Sequence, residues 1–326
     1  MILGTFCGFV PQAAAQFDFG GGGGSGGEDS EPVEPGPRLG NSLTQRWKAG
    51  MVIAGGRGMS RNVIGTAPVP INWPEQEVKV LEENITPPAR VAYRVLDGGV
   101  RQMVVKIPAL RPGMKAEATV TLEVTRYVQL PPENTENYEI VSSRDLPRRV
   151  RKYLAPSPYI ESNHRTFRKL FSEITEGKET DWEKIEAIYQ YVRENVQYKE
   201  ELKRQPIKGA MEAHRDGDGD CEDMTALFIA ICRAGDVPAR TVWVPEHCYA
   251  EFYLQSTENG KGYWFPCQVA GSYAFGGMPD LRLILQKGDN FRVPEYPSER
   301  RRYVPEDLSG VGARPRPDFI RELLSE

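Results

Sequence analysis

The chain has 326 residues and a net charge of −4, with 41 Lys and Arg spread among 45 Asp and Glu. That length supports two ordinary domains. The mixed charge excludes a nucleic-acid footprint, because "RRVRK" and "ERRRY" are no more than short runs of a solvated face. With 32 glycines and 26 prolines the chain is rich in turns.

Residues 1–15 open apolar, from Ile2 to Val10, and "AAAQ" offers a small-residue cleavage site after Ala15. The basic start of a complete signal is missing, since the first positive residue is Arg38. The expectation is a truncated signal peptide, hence a secreted or periplasmic protein. No other stretch approaches the ~20 apolar residues of a membrane span, so the mature chain carries no integral membrane segment. Residues 16–43 are a Gly- and Pro-rich tether, with "FDFGGGGGSGGEDSEPVEPGPRLG" unable to bury a core.

The texture turns to β over residues 44–130. Val120, Leu122 and Val124 alternate with Thr121, Glu123 and Thr125, the period of a half-buried strand. "QEVKVLEENI" and "VRQMVVKIPAL" read the same way, between Gly- and Pro-bearing turns. The pattern predicts a small, independent antiparallel β-sandwich that serves as scaffold or partner-binding module and brings no catalytic group.

Residues 131–326 begin with helices. Thr180 with Glu183 three residues on is a capping box, and Trp182, Ile185, Ile188, Val192 and Val196 follow helical spacing. A second helix starts in "GDGDCEDMTALFIAICRAGDVPAR". Asp220 is the N-cap, Cys221 the first helical residue, Leu227, Phe228 and Ile231 the buried stripe, and Gly235 with Pro238 the stop. "RTVWVP", "CYAEFYL" and "GYWFPC" then read as strands, so this domain is α+β.

A cysteine at a helix start gains from the dipole and the free N–H groups, which lower a thiol's pKa and can hold an oxyanion. Asp218, Asp220, Glu222 and Asp223 act the other way, and the dipole's ~0.3–1 kcal/mol is small enough for them to cancel. A thiolate therefore needs a cation. His247, at the entrance of a strand, is the candidate; His164 heads a helix and His214 lies in a polar loop, both surface positions. A calcium loop counted from Asp216 fails, since Cys221 and Leu227 stand where glycine and glutamate are required. No paired ligand spacing supports zinc on Cys221, His247 and Cys267. Cys221 and Cys232, ~16 Å apart along a helix, cannot bridge, whereas a Cys248–Cys267 disulfide stays open.

"GDCEDMTALFIAICRAGDVPAR", "HCYAEFY" and "GYWFPC" together resemble the core of the bacterial transglutaminase-like proteins, a papain-like cysteine-enzyme fold, over about Thr180 to Gln268, with an outer reach to Asp289 in "QKGDNF". The resemblance implies that Cys221 attacks an amide and that His247 carries the proton. It implies no cofactor, and a protein or peptide as substrate. The family's third member is an aspartate, but here Gln268 follows Trp264 and Pro266 in that frame. A glutamine can offer its carbonyl to His247 Nδ1–H, and a thiolate can supply the missing counter-charge. Glu251, ~13 Å along the strand, is structural. The expected function is cysteine-dependent acyl transfer on amide bonds through a thioester, as protease, amidase or transglutaminase. The alternative is a non-catalytic peptide-binding module.

Overall fold

The computed structural model describes residues 35–96 and 98–324. Residues 1–34, with the expected signal peptide and most of the tether, lie outside them. Six strands come first: β1 Arg38–Ala54, β2 Ser60–Val69, β3 Gln76–Ile85, β4 Arg90–Leu96, β5 Val100–Leu110 and β6 Lys115–Leu130. Two more come from the far end of the chain: β10 Asp307–Gly312 and β11 Arg316–Leu324. They form two antiparallel sheets of four, ordered β11-β1-β6-β3 and β10-β2-β5-β4.

Strict alternation on β6 turns Val120, Leu122 and Val124 inward, where they meet Met103, Val105 and Ile107 of β5 in one core. The sandwich differs from the sequence reading at both margins. β1 begins inside the stretch read as tether. The outer strands β10 and β11 belong to the segment read as an extension of the second domain. Both are edge strands with half-exposed or exposed faces, so neither carries the alternation that marks a strand in sequence.

Between β6 and β10 the chain builds the α+β part. Its helices are α1 Arg165–Thr175, α2 Asp181–Asn195, α3 Ala210–Asp216 and α4 Cys221–Ala234; its main strands are β7 Ala239–Val244, β8 His247–Ser256 and β9 Gly262–Gln268. The capping box of α2 is complete, with Thr180 accepting from Glu183 N–H at 3.1 Å and Glu183 accepting from Thr180 N–H at 3.1 Å. α4 is buried on nearly every side, as a helix apolar all round must be. It packs between the other helices and the sheet. In that sheet β9, β8 and β7 run side by side, flanked by short strands Ala274–Phe275 and Gln286–Lys287.

Candidate functional site

The local sequence explains why Cys221 stands where it does. Asp220 accepts from the N–H groups of Glu222 and Asp223, at 2.8 and 3.1 Å, and Asp223 accepts from Asp220 N–H at 3.2 Å. Gly219 is required next to this cap, because a Cβ there would come within 2.7 Å of Asp223 Cβ. The cap consumes two helix-end donors that could have held an oxyanion. The N–H of Cys221 itself keeps no protein partner among the described residues.

Cys221 is 3% exposed and lines a cleft of about 420 Å³ with His247, Trp243, Leu285, Arg302 and Tyr303. The acids crowded around it in sequence each have a partner of their own. Asp218 binds Lys199 at 2.5 Å and also Lys208. Glu222 pairs with Arg302, and Asp223 accepts from Lys208 and Gly209 N–H. Burial pushes the Asp220 carboxyl up to about 6. The ion pairs of Asp218 and Glu222 thereby offset part of the repulsion that would hold the thiol protonated.

Cys221 has its pKa driven far below the ordinary thiol range. The largest cause is the neighbouring Cys248 side chain; burial opposes it, and His247 adds a hydrogen bond and its charge. Cys248 faces α4 and donates its S–H to the Cys221 carbonyl at 3.6 Å. Burial pushes the Cys248 thiol well up, so it stays a proton donor. Nothing in sequence pointed to this role, since Cys248 had a place only in a disulfide.

Four cysteines, Cys221, Cys232, Cys248 and Cys267, are free thiols. Cys267 pairs with Ala250 across β8 and β9 and is fully buried, away from the cleft. The bridge between Cys248 and Cys267 that the sequence left open is not made. Among the described residues no group of three His, Cys, Asp or Glu could hold a metal.

His247 Nε2 donates to Gln268 Oε1 at 3.0 Å. The sequence reading assigned Gln268 to Nδ1. The structure reverses the ring and leaves Nδ1 as the nitrogen for Cys221. Gln268 is oriented in turn: its Nε2 donates to the carbonyl and hydroxyl of Ser272, at 3.2 and 3.1 Å, which turns Oε1 to the imidazole. Arg193 of α2 fixes the same turn by donating to the carbonyls of Gln268, Val269 and Gly271. Ser272 and Arg193 escape sequence reasoning because neither sits in a motif.

The other candidates lie outside the cleft. His164 caps α1, accepting from Thr166 N–H at 3.3 Å, and His214 is on α3, not a loop, half-buried against Phe167. Glu251 is 1% exposed and bound by Arg240, directly opposite on β7, at 2.7 Å, and by Lys287, which also binds Glu75 at 2.5 Å. Arg240 stacks over Trp264 at 4.0 Å. Asp289 holds the buried Arg233 through two bonds of 2.8 Å. The two arginines of "RAGDVPAR" are thus core ion-pair partners.

Residues 168–269 match the family model of the transglutaminase-like superfamily core, and this part of the chain is a transglutaminase-like domain. Among solved structures, a candidate cysteine protease from Cytophaga hutchinsonii is similar with a TM-score of 0.56 and 18% identity, covering 87% of this chain and 92% of that one. The likeness therefore includes the sandwich as well as the helical part, and shows a shared fold. A candidate protease from Parabacteroides distasonis, 12% identical over 72% of this chain and 47% of its own, has a TM-score of 0.26, too low to carry an argument. No curated protein matches the sequence.

Proposed function

We propose that the protein is a cysteine-dependent acyl-transfer enzyme acting on amide bonds of proteins or peptides. One observation carries this reading: a thiol with a depressed pKa beside an imidazole whose far nitrogen is held by an oriented carbonyl. Cys221 Sγ adds to the amide carbon, and the Cys221 N–H faces the oxyanion. His247 delivers a proton from Nδ1 to the leaving amine, whose C–N bond breaks to give a thioester. Water or a second amine, deprotonated by the same nitrogen, then releases the acyl group. Gln268 remains neutral throughout, and the thiolate balances the imidazolium before attack. The shared fold with a candidate cysteine protease supports the substrate class.

Incubation with a proteome, followed by mass spectrometry of new termini, deamidation and cross-links, tests the reading against Cys221→Ala. The expected result is modification by the wild type and none by the variant. Identical maps from both would leave a peptide-binding module. The apolar start further suggests an extracytoplasmic protein, and a native N-terminus near Gln16 is the expected outcome of sequencing it from cells.

A further inference from the structure

The chemistry proposed above leaves the β-sandwich without a task, yet a deeply buried charge reaches out of it. Arg126 on β6 is 1% exposed. Its guanidinium donates to the carbonyls of Glu75, Arg282, Asp280 and Tyr127, at 2.8, 3.1, 3.2 and 3.4 Å. A buried cation held by carbonyl dipoles, with no carboxylate in hydrogen-bond contact among the described residues, is costly unless those dipoles are well placed. Two of the four belong to the segment 278–289, which crosses from one edge of the α+β sheet, Ala274–Phe275, to the other, Gln286–Lys287.

The same segment is tied to the sandwich along its length. Gln129 and Met278 exchange backbone bonds of 3.0 and 2.7 Å. The Gln76 amide bonds both main-chain groups of Ile284, and Lys287 binds Glu75. On its other side the segment grips β7 and the turn after it. Leu285 N–H donates to Trp243 O at 2.8 Å, Gly288 N–H to Thr241 O at 2.7 Å, and Arg282 Nη1 to Pro245 O at 3.3 Å. That turn needs support, because Glu246 has φ +58°, a left-handed conformation that a residue with a side chain keeps only when its surroundings hold it.

We infer that the β-sandwich positions the imidazole: Arg126 holds the carbonyls of Asp280 and Arg282, and Arg282 holds the carbonyl of Pro245, two residues before His247. Arg126 and Arg282 are positioning residues, and the inference rests on the reading of His247 as the base. The sandwich is then part of the catalytic apparatus rather than a detachable module.

Arg282→Met in the full chain is the first test, because this side chain is 42% exposed and its loss empties no core. Arg126→Lys is the second; it keeps the charge and cannot reach all four carbonyls. The readouts are the ring-nitrogen resonances of His247, assigned with His247→Gln, and the rate of Cys221 alkylation at pH 6, with thermal melting to establish folding. Displacement of a catalytic group by a fraction of an ångström is enough for about a tenfold effect. The expected result is shifted His247 resonances and alkylation slowed about threefold by Arg282→Met and about tenfold by Arg126→Lys. Unchanged resonances and rates in folded Arg282→Met overturn the inference, whether or not Arg126→Lys folds. A wild-type Cys221 that alkylates like an ordinary thiol would remove the base role instead, and the resonances alone would then decide positioning.

Discussion

His247 and Glu251 stand four residues apart on β8, pointing to the same side of the sheet, and their surroundings differ in kind. Glu251 sits in a closed set with Arg240, Lys287 and Glu75, two cations for two anions, all nearly free of solvent. His247 sits at the rim of a cleft, with a thiol on one side and a neutral amide on the other. The first set has no reason to move a proton, since every charge is matched. In the second, one proton can pass between sulfur, nitrogen and a leaving group without stranding a charge. Along one strand, fixed balance holds the shape, and unfixed balance would serve the proposed chemistry.

Removing a charge from the closed set should produce the largest effect on stability. Glu251→Gln leaves two buried cations facing Glu75 alone, and loss of one partner from such a set costs about 3–5 kcal/mol. Urea unfolding should show that loss, while the folded fraction still alkylates Cys221 at the wild-type rate. A fully stable variant with a dead thiol would break the contrast between the two sites.

Gln268→Ala attacks the other site. The imidazole loses its orienting acceptor, the sheet loses little packing, and turnover of a substrate identified in the proteome screen should fall about 10²-fold, in the range of a positioned acid–base group. Gln268→Asp should hold or raise turnover, because a charged acceptor strengthens the bond from Nε2. Wild-type turnover in Gln268→Ala would show that the ring is held without it.

A smaller shift should follow from Cys248→Ala. The Cys248 side chain favours the thiolate of Cys221, so its removal raises the Cys221 pKa. The pH profile of alkylation then moves upward: in mildly acidic solution the variant reacts more slowly than the wild type, and near pH 9 the two converge. A profile that stays in place would assign the low pKa to His247 alone.

The residues brought together in the cleft were legible largely through local signals. Asp220 and Asp223 mark a helix start in any context, and that mark makes Cys221 conspicuous. His247 followed because a thiolate needs a cation and the strand motif supplies one. The nitrogen that meets Gln268 was not legible, since ring orientation depends on Ser272 and on the turn held by Arg193, neither set by spacing. Cys248 was hidden because its contact with Cys221 runs between a strand and a helix. β6 was plain from its alternation, whereas β10 and β11, with exposed faces and irregular patterns, gave no periodicity to read. The segment 278–289 is nearly all loop, and its ties to Gln76, Arg126 and Gln129 are long-range.

The pairing of β1 with β11 has a consequence for how the protein is made. Trp47 lies opposite Leu323 and Met51 opposite Phe319, so the first strand of the sandwich waits for a strand that is synthesised much later. Contacts of such separation close slowly, because the loop entropy must be met before they form. While the ribosome is still adding residues, the β1 edge that β11 will cover remains open, a hazard for pairing with another nascent chain. Arg321 of β11 also lines the cleft beside Cys221. A nascent chain therefore carries Cys221 for some time before the cleft has all its walls, and the order of synthesis itself delays the moment at which the site is complete.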